Sequence, residues 1–171
     1  MVAGNNFSAT LGSLNDTANA TAVTDNNKRF ANNTMSIDVT GAASIDGTIY
    51  GVTNALDGKF GSLAIGAGGA TMYSSASTID LTTRTGDMSL ATAAISAPGN
   101  INLTADVGAI STAAGSAQGV QTTAGNMTIT AATGVSNAGV ISVNAGTLTG
   151  RVSGTLTNSG TIYARDDIDL A

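Results

Sequence analysis

The side chains able to do chemistry are few in this chain. Its 171 residues include no His and no Cys. That removes the commonest general base, the commonest transition-metal ligand, and any thiolate or disulfide. Lys and Arg number 6 against 11 Asp and Glu, a formal net charge of −5. Lys28-Arg29 is the single adjacent basic pair. No basic stripe exists to neutralise phosphates, so nucleic acid is not an expected partner.

The acidic residues are the first candidates. Asp166, Asp167 and Asp169 cluster near the C-terminus, and a calcium site would need several converging oxygens. Asp167 and Asp169 fall on one strand face with Asp166 opposite, which reads as a solvated face flanked by Arg165. Asp87 and Asp106 stand isolated in sequence, whereas two-carboxylate glycoside hydrolysis needs a pair. Gly66-Ala67-Gly68-Gly69-Ala70 lacks the Asp of calcium-binding nonapeptide repeats. It also lacks the Lys-Ser/Thr ending of a phosphate loop. No catalytic, cofactor-binding or metal-ligating residue is assigned, and the chain is read as not an enzyme. Sequons such as Asn102-Leu103-Thr104 and Asn126-Met127-Thr128 arise from an Asn- and Thr-rich composition.

The elements that must hold these residues are strands. Charged residues are 10% and aromatic ones 4%, with 42% hydrophobic. A core from such residues needs many thin layers closed by small and β-branched side chains. Runs such as Met35-Ser36-Ile37-Asp38-Val39, Ser44-Ile45-Asp46-Gly47-Thr48-Ile49, Ser62-Leu63-Ala64-Ile65 and Thr78-Ile79-Asp80-Leu81 place apolar residues two apart, the spacing of one strand face. Gly, Asn and Asp separate the runs, as turns require. Helical periodicity is missing, and Thr, Ser, Gly and Asn are poor helix formers. No run of 18 apolar residues suggests a transmembrane helix. The opening Met1-Val2-Ala3-Gly4-Asn5-Asn6 lacks the basic and apolar regions of a signal peptide. The chain is read as a fragment of an exported protein whose signal lies elsewhere.

Internal repetition is the strongest signal. Gly99-Asn100-Ile101-Asn102-Leu103 returns as Gly125-Asn126-Met127-Thr128-Ile129, an offset of 125 − 99 = 26. Gly86-Asp87-Met88-Ser89-Leu90 looks like an earlier copy, and Arg165 to Leu170 like a looser one. Val135-Ser136-Asn137-Ala138-Gly139-Val140-Ile141 matches Leu156-Thr157-Asn158-Ser159-Gly160-Thr161-Ile162, an offset of 156 − 135 = 21. Gly146-Thr147-Leu148 then aligns with Asp166-Asp167-Ile168. A period near 20 with about three short strands fits one coil of a β-solenoid, roughly eight coils in all. The expected fold is therefore all-β, a parallel β-helix with about 20 residues per coil. Residues 35–171 form its repeat region, and residues 1–34 form polar, weakly patterned coils or an extension. The structural repeat positions are Gly99, Ile101, Leu103, Gly125, Met127, Ile129, Asn137, Gly139, Ile141, Asn158, Gly160 and Ile162. Stacked Asn137 and Asn158 are expected to hydrogen-bond along the rod.

Leu156-x-Asn158-x-Gly160-x-Ile162-x-Ala164 followed by Asp167-Ile168-Asp169-Leu170 resembles the haemagglutinin repeat of filamentous-haemagglutinin-like exoproteins, the passengers of two-partner secretion. Val135-x-Asn137-x-Gly139-x-Ile141-x-Val143 fits with Val for Ala. The Gly-Asn/Asp blocks at 86, 99 and 125 fit the second step of that repeat. The resemblance covers roughly residues 86 to 171. It implies a right-handed β-helix, export through an outer-membrane secretion barrel, and a place on the cell surface of a Gram-negative bacterium or in its surroundings. Surface glycans or receptors of host or neighbouring cells would then be its partners. The Asn-Pro-Asn motifs of that family's secretion domain are absent, so the segment would be an internal one.

The function expected is a structural or adhesive stalk of a large secreted adhesin or contact-dependent toxin-delivery protein. Two alternatives stand beside it. One is a polysaccharide-processing β-helix, a lyase or tailspike-like fragment, which would line up acidic and basic side chains on one lateral face. The other is a self-assembling filament subunit, because an open β-helix end is an unpaired sheet edge.

Overall fold

The computed structural model describes residues 2–17, 28–66, 69–112 and 119–171. Among them there is no helix. Strands wind into a parallel β-solenoid at roughly 22 residues per turn. Part of the Asn-rich run, Asp25-Asn26-Asn27, and the pair Ala67-Gly68 lie outside the described residues.

Three faces repeat in chain order. Face one stacks β1 (Val2–Ala3), β4 (Lys28–Ala31), β6 (Thr48–Val52), β8 (Ala70–Ser74), β11 (Ala93–Ala97), β14 (Val120–Thr122), β17 (Val140–Val143) and β20 (Thr161–Ala164). Face two stacks β2 (Phe7–Leu11), the first halves of β5 (Met35–Asp46) and β7 (Leu56–Ile65), then β9 (Ile79–Thr83), β12 (Ile101–Ala105), β15 (Met127–Ala131), β18 (Leu148–Val152) and β21 (Ile168–Leu170). Face three stacks β3 (Leu14–Thr17), the second halves of β5 and β7, then β10 (Met88–Leu90), β13 (Ala109–Thr112), β16 (Gly134–Asn137) and β19 (Thr155–Asn158). The pairings down these faces are parallel.

Register explains the repeats. Ile101 pairs with Met127, Val135 with Leu156, Asn137 with Asn158, and Leu148 with Ile168. Offsets of 26, 21 and 20 are therefore all one turn, and the corners absorb the difference. The block at Gly86 is the exception to the expected alignment. Its Met88 pairs with Leu63 and Ile110 on face three, not with Ile101 on face two. A spacing of 13 moves the chain to another face, where the same alternation serves the same axis. The run Ser44 to Ile49 also divides. Gly47, at φ 70°, turns the chain between β5 and β6, a conformation glycine adopts without a Cβ clash.

Alternation sends one side chain of each pair inward. On face two, Ile79, Ile101, Met127 and Leu148 stack in one buried row, with Leu81, Leu103 and Ile129 in the next. Each such side chain contributes about 1.5–3 kcal/mol by leaving water. Phe60 is the largest fully buried residue, and its ring occupies the space beside Gly58 and Leu81. The corners continue the backbone pairing. Ile79, Ile101, Met127 and Leu148 each donate N–H to the residue before the strand one turn on, at 2.9–3.1 Å. The buried residues that open these strands thus keep their N–H groups satisfied.

Glycine is needed where corners stack. A Cβ on Gly125 would lie 2.3 Å from the carbonyl carbon of Gly99, and one on Gly160 would lie 2.1 Å from the carbonyl oxygen of Gly139. This is why the repeat positions Gly99, Gly125 and Gly160 are glycine.

Candidate functional site

The deepest polar feature is on the inner side of face three. Its inward register position is apolar at Ile45, Ile65 and Leu90, then polar at Thr112, Asn137 and Asn158. The Thr112 hydroxyl donates to Asn137 Oδ1 at 2.6 Å. Asn137 Nδ2 donates to Asn158 Oδ1 at 2.7 Å and to the Thr161 carbonyl at 3.1 Å. Thr112 Oγ1 also accepts the N–H groups of Ala138 and Gly139. The row ties face three to the corner that begins face one, where Ile141 and Ile162 point inward. Its members are amides and hydroxyls satisfied by one another, so their chemistry is structural.

The outer side of face two carries the charges. Asp57 and Asp80 are register partners on adjacent turns, with Asp38 one turn before Lys59. Arg84 reaches Asp38 at 2.8 Å and Lys59 reaches Asp57 at 3.2 Å. Asn102 Nδ2 donates to Asp80 Oδ1 at 2.5 Å. Acidic and basic side chains therefore lie together on one lateral face. Sequence reasoning singled out Asp87 and Asp106 instead. Asp87 ties its corner to the next turn by accepting the Ala109 N–H at 2.8 Å, and Asp106 lies in that next corner. The signal for the Asp57–Asp80 pair was their spacing of 80 − 57 = 23, one turn of this rod.

The C-terminal acids do not converge. Asp169 pairs with Arg151 at 2.7 Å and Asp166 with Arg165 at 3.1 Å, both in the open. The Arg151 guanidinium, hydrogen-bonded to Asp169, holds that carboxyl below its ordinary range. Among the described residues no group of three or more acidic side chains could hold a metal ion.

The N-terminal end of the bore holds a second polar group that sequence reading missed. Asp16 occupies the inward position in register with Ile45, and Arg29 the one in register with Tyr50. Arg29 meets Asp16 at 2.8 Å, and the Tyr50 hydroxyl donates to the other Asp16 oxygen. Burial, then the Asp16 carboxylate, pushes the Tyr50 phenol above its ordinary range. Beside this group lies a cavity of about 190 Å³ lined by Phe7, Leu11, Leu14, Met35 and Ile37.

Fold and sites together define a parallel β-solenoid with an apolar axis, into which the Thr112–Asn137–Asn158 row and the Asp16–Arg29–Tyr50 group point. Comparison with protein-family models, with curated proteins and with solved structures finds no match. No described helix is long and apolar enough to cross a membrane.

Proposed function

We propose that this chain is a rigid spacer, a stalk segment of a large secreted bacterial surface protein of the filamentous-haemagglutinin type. One observation carries the reading: among the described residues two parallel sheets, of 8 and 13 strands, stack as three faces around one apolar axis. Such a stack transmits length and stiffness, because every turn is held by its two neighbours. Its outer surface is dominated by Ser, Thr, Asn and Ala, which suits weak, repeated contacts with surface glycans or receptors. Displayed in many copies on beads, the chain is expected to retain glycan-bearing cells, while single copies bind poorly. Beads that retain no more cells than blank beads, across a panel of cell types, would remove the adhesive part of the proposal.

A second reading rests on the lateral row of Asp38, Asp57, Lys59, Asp80 and Arg84. Adjacent rungs stand about 4.8 Å apart, near the roughly 5–5.5 Å between carboxyls of retaining glycosidases. Its test is release of reducing ends or unsaturated products from acidic polysaccharides. Activity lost in Asp80→Asn would favour this reading over the spacer.

A further inference from the structure

The chain has few aromatic residues, 3 Phe and 3 Tyr with no Trp. Three of them, Phe30, Tyr73 and Tyr163, share one outward register row on face one. On adjacent turns the row runs from Phe30 to Gly51 to Tyr73. It continues through Ser96, Gln121 and Ser142 to Tyr163.

Gly51 fixes the first pair of rings. It is buried beneath both, and a Cβ there would lie 2.5 Å from Phe30 Cε1 and 2.6 Å from Tyr73 Cζ. The missing side chain lets the rings meet across a turn, with centroids 6.1 Å apart and planes at 63°. An edge-to-face pair holds both rings in place and takes up only one ring face. Tyr73 is thus a fixed, half-buried aromatic platform on the side of the rod.

The lane beyond it is low, polar and uncharged. Ser96, Gln121 and Ser142 fill the next three rungs, and Tyr163 stands on the fourth. Rungs about 4.8 Å apart put roughly 19 Å between the two tyrosines. Among the described residues, no side-chain hydrogen bond engages the Tyr73 hydroxyl, the Ser96 hydroxyl or the Gln121 amide. On face two, by contrast, outer polar groups are taken up by one another, as Asp38 is with Arg84 and Asp80 with Asn102. The strands of face one from β6 to β20 contain no charged residue, whereas every strand of face two from β5 to β9 carries one.

These features select a class of ligand. An aromatic platform meets the apolar C–H face of a pyranose ring. Uncommitted hydroxyls and an amide meet the hydroxyls at its edge. A lane without charge offers nothing to a carboxylate or sulfate. A straight row of rungs suits an extended chain and not a coiled one. Tyrosine makes such contacts at low entropic cost, since only two side-chain torsions are fixed. We propose that the outer side of face one binds a neutral, extended β-linked glycan chain, laid along the rod from Tyr73 toward Tyr163. This names the site and ligand class of the adhesive reading above, and rests on that reading.

Saturation-transfer NMR of the full chain with cellohexaose tests it, with an oligogalacturonate of equal length as the acidic probe. Cellohexaose is expected to receive transfer from the tyrosine rings, and added salt should leave its affinity unchanged. Oligogalacturonate should bind at least about tenfold more weakly. Tyr73→Ala is expected to weaken cellohexaose binding at least about tenfold. Because that ring also covers Gly51, Ser96→Arg serves as a second variant. Ser96 is exposed, so a long side chain there fills the lane and leaves both rings in place; binding should fall as far. Asp80→Asn, on face two, should bind as wild type does. A wild type that receives no transfer overturns the proposal. So do Tyr73→Ala and Ser96→Arg variants that bind as wild type, or tighter, salt-sensitive binding of oligogalacturonate. Cell retention on beads separates this site from the reading beneath it. Beads bearing Ser96→Arg that hold cells as well as wild type remove the face-one site alone, while wild-type beads that hold none remove the adhesive reading with it.

Discussion

Asn137 and Asn158 stand one turn apart on face three and are joined side chain to side chain inside the rod, Nδ2 to Oδ1, at 2.7 Å. Their environments differ. Asn137 is 1% exposed and sits between two turns, while Asn158 lies at the open end. Removing the Asn137 amide leaves the buried Thr112 hydroxyl without the acceptor for its proton. Asn137→Ala is therefore expected to cost about 2–4 kcal/mol, and Asn158→Ala under about 1 kcal/mol. Urea midpoints of the two variants check this; equal losses would mean that burial does not set the weight of the row.

Thr83 and Thr122 give a pair of opposite signs. Both are fully buried. The Thr83 hydroxyl has no hydrogen-bond partner, while that of Thr122 donates to the Gly99 carbonyl and accepts the Gly125 N–H. Valine keeps the shape and removes the hydroxyl. Thr83→Val should stabilise by about 0.5–1.5 kcal/mol and Thr122→Val should destabilise by about 1–2 kcal/mol. Thermal melts that move the same way in both would contradict this assignment.

Corner glycines separate by crowding. Gly125→Ala places a methyl against the Gly99 backbone, which cannot retreat without breaking the stack. A loss of about 1–3 kcal/mol is expected. Gly4 has open space around its Cα, so Gly4→Ala should stay within about 0.5 kcal/mol. Chemical denaturation of the two variants measures both.

Tyr50 predicts an alkaline limit. Its folded-state pKa is raised above the ordinary 10.0 by burial and by Asp16. Between those two values the folded chain keeps a proton that the unfolded chain has released. Stability from this group is thus complete below pH 10 and falls above it, by about 1.4 kcal/mol per pH unit. Tyr50→Phe should lose that one-proton slope, although it also loses the hydrogen bond and starts lower. Urea midpoints from pH 8 to 11.5 compare the slopes; parallel curves would show that Tyr50 does not titrate late.

Much of the fold was legible because a solenoid writes its register into its sequence. Ile101 over Met127, and Asn137 over Asn158, follow from matching motifs a turn apart. The Gly86 block misled because alternation looks alike on every face, and half a turn of offset carries no label. The lateral acids were missed for a related reason. Asp57 and Asp80 share no motif, and only the register of β7 on β9 makes them neighbours. The Asp16–Arg29–Tyr50 group was hidden more deeply, since its members come from three strands on two faces.

Composition and repeat spacing alone determined that this chain winds as stacked β turns. A low-aromatic, low-charge sequence with period-two alternation closes a core only by shared turns. Tertiary structure decided which side of each strand faces the axis at each corner, and hence that Asp16 and Arg29 point in while Asp57 and Asp80 point out. A strand's orientation about the axis depends on corner lengths and positive-φ glycines summed along the chain, and no local window of residues contains that sum.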